Sequence, residues 1–312
     1  MNKPLVSIIC LCYNQKRFVE ETLESVFNQS YNQIEVIVVD DGSTDGSKEA
    51  IERLLANRSE IPFISLDENI GNTTAFNKGL ALAKGKYVVD LACDDVLVAN
   101  RIEKQVIFFE GQKENVGVIY SNARYIDEMG NPLSVHFSNN KRVPYEGEVY
   151  SQLIETYFIP PPTMMIKKKV MVELKGYDES LAYEDFDFWI RSARNWHYTF
   201  QNEILTNVRK VKGSHSDRLY ERKNLQLDST VMICKKIRSL NRNSSEDLAL
   251  TVRLKYEFKH AFMTGHKREA KEFYNILIEM KANSLLYKSL IVLNEFNINW
   301  SFLRTFILNL RG

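Results

Sequence analysis

The sequence predicts an α/β protein, in which a parallel sheet is covered by helices on both faces and is followed by an all-helical C-terminal region. Three segments, Leu5–Cys12, Ile34–Val39 and Lys86–Ala92, are rich in apolar residues with little polar alternation. Such runs are typical of strands that are buried on both faces, and segments with helical spacing separate them. From about Leu219 onward the pattern is helical, with no strand signal.

The remaining elements follow from apolar spacing, capping residues and prolines. Pro62 favours an edge position or a strand start for the third strand, and Thr44 or Asp45 can cap the second helix. In chain order we predict a helix over Phe18–Phe27, a helix through Ala50–Leu55, a strand at Ile61–Leu66, a helix over Thr73–Ala83, a strand over Val116–Ile126, a polar loop over Ser134–Tyr145, an extended segment at Ile159–Pro162 and a helix from Phe186 to Trp196.

Composition excludes several classes of protein. The chain has 312 residues, of which 44% are hydrophobic and 26% charged, so it is neither disordered nor of low complexity. No apolar run approaches the roughly 18–20 residues of a membrane span, and Leu5–Tyr13 lacks the features of a signal peptide. The four cysteines have no metal-type spacing. We therefore expect free thiols and a cytoplasmic location.

Net charge is unevenly distributed along the chain. Residues 1–208 contain 21 basic and 30 acidic side chains, whereas residues 209–312 contain 20 basic and 10 acidic ones. This asymmetry suggests a metal site in the first part and an anionic surface or ligand for the second. A solvated basic helical face explains the second part equally well.

The C-terminal end has the pattern of an amphipathic helix, with its apolar face formed by Trp300, Leu303, Phe306, Ile307 and Leu310. With the basic excess, this pattern suggests peripheral contact with the inner face of an anionic cell membrane. The alternative, which we favour slightly, is a helix packed onto the body of the protein or onto a second subunit of a homo-oligomer.

Acidic pairs follow two predicted strands and begin one predicted helix. Asp40-Asp41 and Asp94-Asp95 come directly after strands, and Glu184-Asp185 starts the helix that follows. The carboxyl ends of parallel strands face the ligand crevice of such a sheet. Mg²⁺ takes one or two carboxylates together with phosphate oxygens, so Asp94-Asp95 suits a metal–diphosphate site. Turn formation and helix capping are the structural alternatives for each pair.

The combined motifs resemble a known family. They run from Val6–Asn14 through Asp40-Asp41-Gly42-Ser43, Asn77-x-Gly79, Asp94-Asp95 and Gly176-Tyr177-Asp178-Glu179 to Glu184-Asp185. Together they resemble the large inverting glycosyltransferase family with the GT-A fold, of the family 2 type, over about residues 4–216. The resemblance implies a GT-A-like mixed sheet in a domain over 1–216, with a nucleotide-binding half at 1–100 and an acceptor half at 101–216. Residues 217–312 would form a helical C-terminal region.

The same resemblance implies residues that bind the nucleotide-sugar donor. Asp41 would accept a hydrogen bond from a ring N–H of uracil or a similar base. Leu11, Tyr13 and Asn14 belong to the segment that would line the base and ribose, and Asn77 would contact the sugar nucleotide.

Metal binding and proton transfer are assigned by the resemblance to the other two pairs. Asp94 would hold a ribose hydroxyl, and Asp95 would bind Mg²⁺ or Mn²⁺. Asp185 would be the general base, supported by Glu184. Many relatives have a histidine where Val211 stands here; His215, four residues later, could reach the metal, although a surface histidine is the commoner case.

The implied activity is transfer of a sugar, most readily from a UDP-sugar, to a saccharide or lipid-linked saccharide hydroxyl in surface polysaccharide or glycan synthesis. We expect no nucleic-acid partner. A nucleotidyltransferase is an alternative, although Val6–Gln15 lacks a Gly-rich basic loop for a triphosphate. A receiver domain would need only about 120 residues, and a glycan- or nucleotide-sugar-binding protein without turnover remains open because Ala92 and Val211 depart from the family pattern.

Overall fold

The computed structural model describes residues 3–138, 143–211 and 225–294. Its strands are β1 Val6–Cys12, β2 Ile34–Asp40, β3 Phe63–Ser65, β4 Tyr87–Ala92, β5 Val96–Leu97, β6 Val116–Ile126, β7 Pro132–Val135, β8 Met165–Lys167 and β9 His197–Arg209. Its helices are α1 Val19–Phe27, α2 Ser47–Leu55, α3 Asn72–Leu82, α4 Arg101–Glu110, α5 Tyr150–Glu155, α6 Lys168–Leu174, α7 Glu184–Ser192, α8 Leu225–Leu240, α9 Ser244–Thr264, α10 Lys267–Glu279 and α11 Leu285–Asn294.

The strands form one mixed sheet in the order β3-β2-β1-β4-β8-β6-β9-β5, with β7 paired to β6. Strands β1 to β4 are parallel, as the sequence predicts. Beyond β4 the sheet changes, because β8 is antiparallel to both β4 and β6, whereas β9 is parallel to β6. The wholly parallel sheet suggested by the apolar runs therefore applies to the first half only, and the mixed sheet implied by the family resemblance describes the whole.

Helices cover both faces of the parallel half. Every residue of β1 is buried, which is why its sequence is apolar except for Ser7. On one face Ile8 and Cys10 belong to the same core cluster as Leu23 of α1. On the other face α3 lies so close that a Cβ on Gly79 would stand 2.6 Å from Cγ2 of Ile9. Glycine at this position thus permits close helix–sheet packing.

Several elements differ from the sequence-based prediction. Strand β7 begins at Pro132 and takes in the first two residues of the polar segment Ser134–Tyr145 that we predicted as a loop. Its residues are mostly exposed, so no apolar pattern marks them. A short 3₁₀ turn at Pro161–Thr163 lies within the proline run and ends it. Strand β9 carries no simple alternation because register shifts interrupt its pairing with β6.

The chain divides into two compact units that interleave along the sequence. Unit 1 contains the sheet and comprises the described residues of Met1–Val149, Phe158–Ser180 and Arg191–Val211. Unit 2 comprises Tyr150–Tyr157, Leu181–Ile190 and the described residues from 225 onward. The domain boundary predicted after 216 stays a prediction.

Unit 2 is helical, and its longest helix, α9, has clear end signals. The side chain of Asn243 accepts a hydrogen bond from the N–H of Glu246 at its start, and Gly265 adopts a left-handed conformation at its end. Within residues 3–138, 143–211 and 225–294 no helix combines the length and apolarity that a membrane-spanning segment requires.

Candidate active site

The carboxyl ends of β1, β2 and β4 lie at one edge of the sheet in unit 1. Cys12 pairs with Asp40 on β2, and Leu11 pairs with Ala92 on β4. Because the three strands are parallel and in register, the loops that follow them emerge side by side. These loops carry Tyr13-Asn14, Asp41-Gly42-Ser43 and Asp94-Asp95, while Leu11 itself is buried in the strand.

The loops after β1 and β2 are tied together by Asn14. This residue has a left-handed backbone, with φ of 54°. Its N–H donates to Oγ of Ser43 at 2.9 Å, and its Oδ1 accepts from the N–H of Thr44 at 2.8 Å. The side chain of Asn14 is thus used to join two loops, whereas the ring of Tyr13 is 46% exposed beside them and is available to a ligand.

Asp41 holds the loop that leads into α3. Its Oδ1 accepts from the N–H of Ile70 at 2.8 Å, and its Oδ2 accepts from the N–H of Gly71 at 3.1 Å. The side chain is buried. A carboxylate has about four lone-pair sites, so two remain for a further donor. The nucleotide-base contact of Asp41 stays a prediction.

Gly42 allows the loop after β2 to pack against the loop that leads into α3. Its φ is 69°, and a Cβ there would lie 2.4 Å from the carbonyl carbon of Glu68. Next to it, Asp40 accepts from the N–H of Ser43 at 3.1 Å through Oδ2. Its buried Oδ1 has no hydrogen-bond donor among the residues that the structure describes.

Asp94 and Asp95 are carboxylates held in a low-dielectric environment. Burial raises the pKa of Asp94, against the lowering effects of hydrogen bonds from its own N–H and the Gln15 side chain and of the charge of Arg209. Burial, followed by the charge of Asp94, raises the pKa of Asp95 well above its ordinary value, although Arg101 and Arg209 oppose this. Such a pair favours a bound proton or cation.

Arg209, the last residue of β9, contacts both Asp94 and Asp95. Sequence reasoning did not identify it as a site residue. Its N–H donates to Oδ1 of Asp95 at 2.8 Å, and its Nε donates to the carbonyl of Asp94 at 2.9 Å. Its Nη1 bonds the carbonyl oxygens of Asp127 and Glu128. No sequence signal marks it, because the strand that it ends was not predicted and only the tertiary pairing brings it to these aspartates.

Arg101 is a second missed residue near Asp95. It is fully buried at the start of α4, where Nε donates to Gln105 at 3.0 Å and Nη2 donates to the carbonyl of Met164 at 3.1 Å. Its Nη1 has no partner among the described residues. Burial lowers the pKa of Arg101 to about 9, and the charge of Asp95 acts in the opposite direction.

Asn77 is engaged with a distant part of the chain. Its Oδ1 accepts from the N–H of Tyr177 at 3.0 Å, and its Nδ2 donates to the carbonyl of Tyr177 and to Oε1 of Glu179, both at 2.9 Å. A Cβ on Gly176 would stand 2.3 Å from Oδ1 of Asn77. The structure therefore gives Asn77 the task of holding the Gly176–Glu179 motif, and its sugar-nucleotide contact stays a prediction.

Glu184 and Asp185 lie in unit 2, in the first turn of α7. Both are half-buried, and the next residues, Phe186 and Asp187, are buried. A position in the first turn of a helix favours ionised carboxylates through the helix dipole.

The proposed metal ligand His215 and the amphipathic segment from Trp300 to Leu310 lie outside the described residues. Within the described part of the chain, no three His, Cys, Asp or Glu side chains converge as a ready metal cluster. The buried Asp95 carboxylate, with its raised pKa, still fits a hard cation whose other ligands are phosphate oxygens. All four cysteines are free and buried.

A family model described as "Glycosyl transferase family 2" matches residues 7–174, more than half of the chain. The chain belongs to this family. It is 31% identical over 213 residues to an uncharacterized glycosyltransferase of Methanocaldococcus jannaschii, with 67% of this chain and 72% of the relative covered. It is also 28% identical to Bacillus subtilis TuaG, provisionally named a teichuronic acid biosynthesis glycosyltransferase, with 69% and 82% covered.

Solved glycosyltransferases share the fold of this family member. S. aureus TarS 1–349 in complex with UDP-GlcNAc aligns with a TM-score of 0.67 at 20% identity, over 92% of this chain and 84% of that one. The mannosyltransferase PcManGT from Pyrobaculum calidifontis, in complex with GDP-Man and Mn²⁺, aligns with a TM-score of 0.60 at 19% identity, over 95% and 80%. The chain spans half of a longer TarS chain. The predicted GT-A-like mixed sheet with helical C-terminal region is confirmed.

Proposed function

We propose that this glycosyltransferase is metal-dependent and inverting, and that it moves a sugar from a nucleotide-diphosphate donor to a saccharide or lipid-linked saccharide hydroxyl. A UDP-sugar is the donor we favour, and surface polysaccharide or glycan synthesis is the process. The observation that carries the proposal is the Asp94-Asp95 pair at the end of β4, in which Asp95 is buried, Asp94 is half-buried and both pKa values are raised. The UDP-GlcNAc complex of TarS and the name of TuaG support the donor and the process.

The donor would be held by the loops at the carboxyl edge of the sheet. Asp41 would accept from the base, with Leu11, Tyr13 and Asn14 beside the base and ribose. Asp94 would bond a ribose hydroxyl. Asn77 would contact the sugar nucleotide, and it would also position the Gly176–Glu179 segment that it holds.

Asp95 would hold Mg²⁺ or Mn²⁺, with His215 as a further candidate ligand. When bound, the cation stabilises the negative charge that develops on the diphosphate as the sugar leaves. Oδ1 of Asp95 is oriented by the N–H of Arg209, so the carboxylate is already ordered to receive a ligand. The Mn²⁺ complex of PcManGT supports a divalent metal.

Asp185 would act as the general base, supported by Glu184, whose like charge in the same helical turn makes Asp185 a stronger base. Asp185 takes the proton of the acceptor hydroxyl as the acceptor oxygen forms a bond to the anomeric carbon. The bond between that carbon and the diphosphate oxygen breaks, and its electron pair leaves with the nucleotide diphosphate. A single displacement inverts the anomeric centre.

Two variants separate the donor site from the base. Asp95→Asn should lose the Mn²⁺-dependent part of UDP binding, measured by calorimetry, whereas Asp185→Asn should bind UDP normally and lose transfer. Asp67→Asn, an exposed aspartate, is the matched control. A screen of nucleotide diphosphates and their sugars by thermal shift, with and without Mn²⁺, chooses the donor beforehand. Normal metal-dependent binding by Asp95→Asn contradicts the metal site, and normal transfer by Asp185→Asn contradicts the base.

Although the sequence pattern slightly favours a packed C-terminal helix, the exposed leucines of α11 lead us to propose that the basic C-terminal region contacts the inner face of the cell membrane, where lipid-linked acceptors would be found. In support, residues 209–312 carry 20 basic and 10 acidic side chains, and Leu285 and Leu286 of α11 are exposed by 83% and 60%. The full-length protein should sediment with anionic but not neutral liposomes at low salt. Failure to sediment rejects the membrane contact, and a dimer in sedimentation analysis would favour a second subunit instead.

A further inference from the structure

Unit 2 groups the acidic segment Leu181–Ile190 with the C-terminal helices. The family model ends at residue 174, so both parts lie outside the matched region. Three side chains of α8 and α9 reach this segment or the residues packed on it: Ser229, Lys236 and Arg253. The C-terminal helices therefore have a contact with the segment that carries Asp185, in addition to any surface role.

Arg253 is the most buried of these contacts. Its side chain is 2% exposed, and its guanidinium lies 4.0 Å from the ring centroid of Tyr157 and 5.3 Å from that of Phe186. Its Nε donates to the carbonyl of Ile154 at 2.7 Å, and its Nη1 donates to Glu257 at 3.1 Å. A buried cation is costly to desolvate, so its partners must be held in defined positions.

Aromatic rings lie between Arg253 and the acidic segment Leu181–Ile190. The ring of Tyr157 packs edge-on against Phe186, with centroids 5.0 Å apart, and 5.4 Å from Tyr183. Tyr183 and Phe186 flank Glu184 and Asp185 in the chain, so the rings that pack with Arg253 and Tyr157 border the first turn of α7.

Helix α8 adds two polar ties to the same segment. The N–H of Ala182 donates to Oγ of Ser229 at 2.8 Å, and Nζ of Lys236 donates to Oδ1 of Asp187 at 2.7 Å. Asp187 is 1% exposed, whereas Lys236 is 31% exposed. The segment is thus held just before and just after Asp185.

We propose that Arg253 is a positioning residue for the general base: through Tyr157 and Phe186 it holds the first turn of α7 in the orientation that Asp185 needs. Lys236 assists through Asp187. This inference rests on the proposed function, because it assigns a task to the base that the proposed function names. Arg253 itself does not touch the substrate.

The test compares Arg253→Lys with Arg268→Lys, whose guanidinium is 71% exposed on α10. A lysine keeps the charge but loses the planar stacking and the forked hydrogen bonds. Arg253→Lys should increase amide hydrogen exchange in the 181–190 peptide and lower kcat by up to about 100-fold. The donor KM and the binding of UDP with Mn²⁺ should be unchanged. Tyr157→Phe, which keeps the ring, should retain most of the turnover.

The outcomes are separable. Unchanged exchange in 181–190, or increased exchange with kcat equal to that of Arg268→Lys, overturns the inference. Equal losses in UDP binding and in kcat would indicate general unfolding and also overturn it. If the wild-type protein transfers no sugar, the proposed function fails, while the exchange result still decides whether Arg253 holds the segment. Should Arg253→Lys not fold, Lys236→Gln tests the same segment through Asp187, with exchange and kcat as the readouts.

Discussion

Arg209 should be among the most sensitive positions of unit 1, because its buried side chain serves several backbone carbonyls at once. The guanidinium is 1% exposed. Nε bonds the carbonyl of Asp94 at 2.9 Å, and Nη1 bonds those of Asp127 and Glu128 at 3.1 and 3.3 Å. Nη2 bonds Glu21 at 2.5 Å. Arg209→Met removes all of these donors while retaining much of the apolar stem.

The expected loss of stability follows from those partners. Three carbonyl oxygens lose a donor, and each costs about 1 kcal/mol, so the free energy of unfolding should fall by about 3 kcal/mol. Glu21 is 55% exposed and can be hydrated, so its ion pair adds little. For a domain of this size, about 3 kcal/mol corresponds to a fall in Tm of about 6–12 °C.

Scanning calorimetry of Arg209→Met and Arg17→Met provides the measurement. Arg17 is a matched control because its side chain is 64% exposed and forms a surface ion pair with the carboxylate of Glu128, which predicts a loss of about 0–1 kcal/mol. Arg209→Met should also weaken Mn²⁺-dependent UDP binding, since the carbonyl of Asp94 loses its donor and both carboxylates lose a nearby positive charge, although the backbone N–H that donates to Asp95 is kept. Similar falls in Tm for the two variants would refute the reasoning.

Two further predictions concern the loop after β2. Gly42→Ala should lower the free energy of unfolding by about 2–4 kcal/mol, from backbone strain and from contact with Glu68. The control Gly130→Ala, at a residue with φ of 85° and open space around it, should lower it by only about 1–2 kcal/mol. Equal losses of the two variants in urea unfolding would contradict the steric argument. Burial tends to raise the pKa of Asp45, but hydrogen bonds from Ser47 and Lys16 outweigh it and lower the pKa. Because a lowered pKa stabilises the fold above the unfolded value and the effect is lost as pH falls through the folded value, Asp45→Ala should cost about 0.5–1 kcal/mol at pH 7, limited by solvent screening. Its difference in Tm from the wild type should shrink below about pH 4, and a constant difference down to pH 3 would oppose this.

The parallel half of the sheet is predictable because its cause is local. Strands that are covered on both faces must be mostly apolar, and β1, β2 and β4 are rich in apolar residues with only one or two polar ones each. Once they are parallel, the carboxylates that follow them must share an edge, as the register of Cys12 with Asp40 bears out. The antiparallel strand β8 is not predicted because its three residues are too few to show a pattern. Strand β9 is not predicted because register shifts in its pairing with β6 interrupt the alternation along it.

The sequence by itself determined the family, the fold and the position of the acidic pairs, since these depend on motif order and on periodicity along the chain. Only the tertiary structure decided which side chains support them. Arg209 meets Asp94 and Asp95 across 115 and 114 positions of sequence, and Arg253 meets Tyr157 only because α9 packs against α5 in unit 2. Buried charges acquire their partners from packing between distant segments, and no local pattern along the chain encodes such contacts.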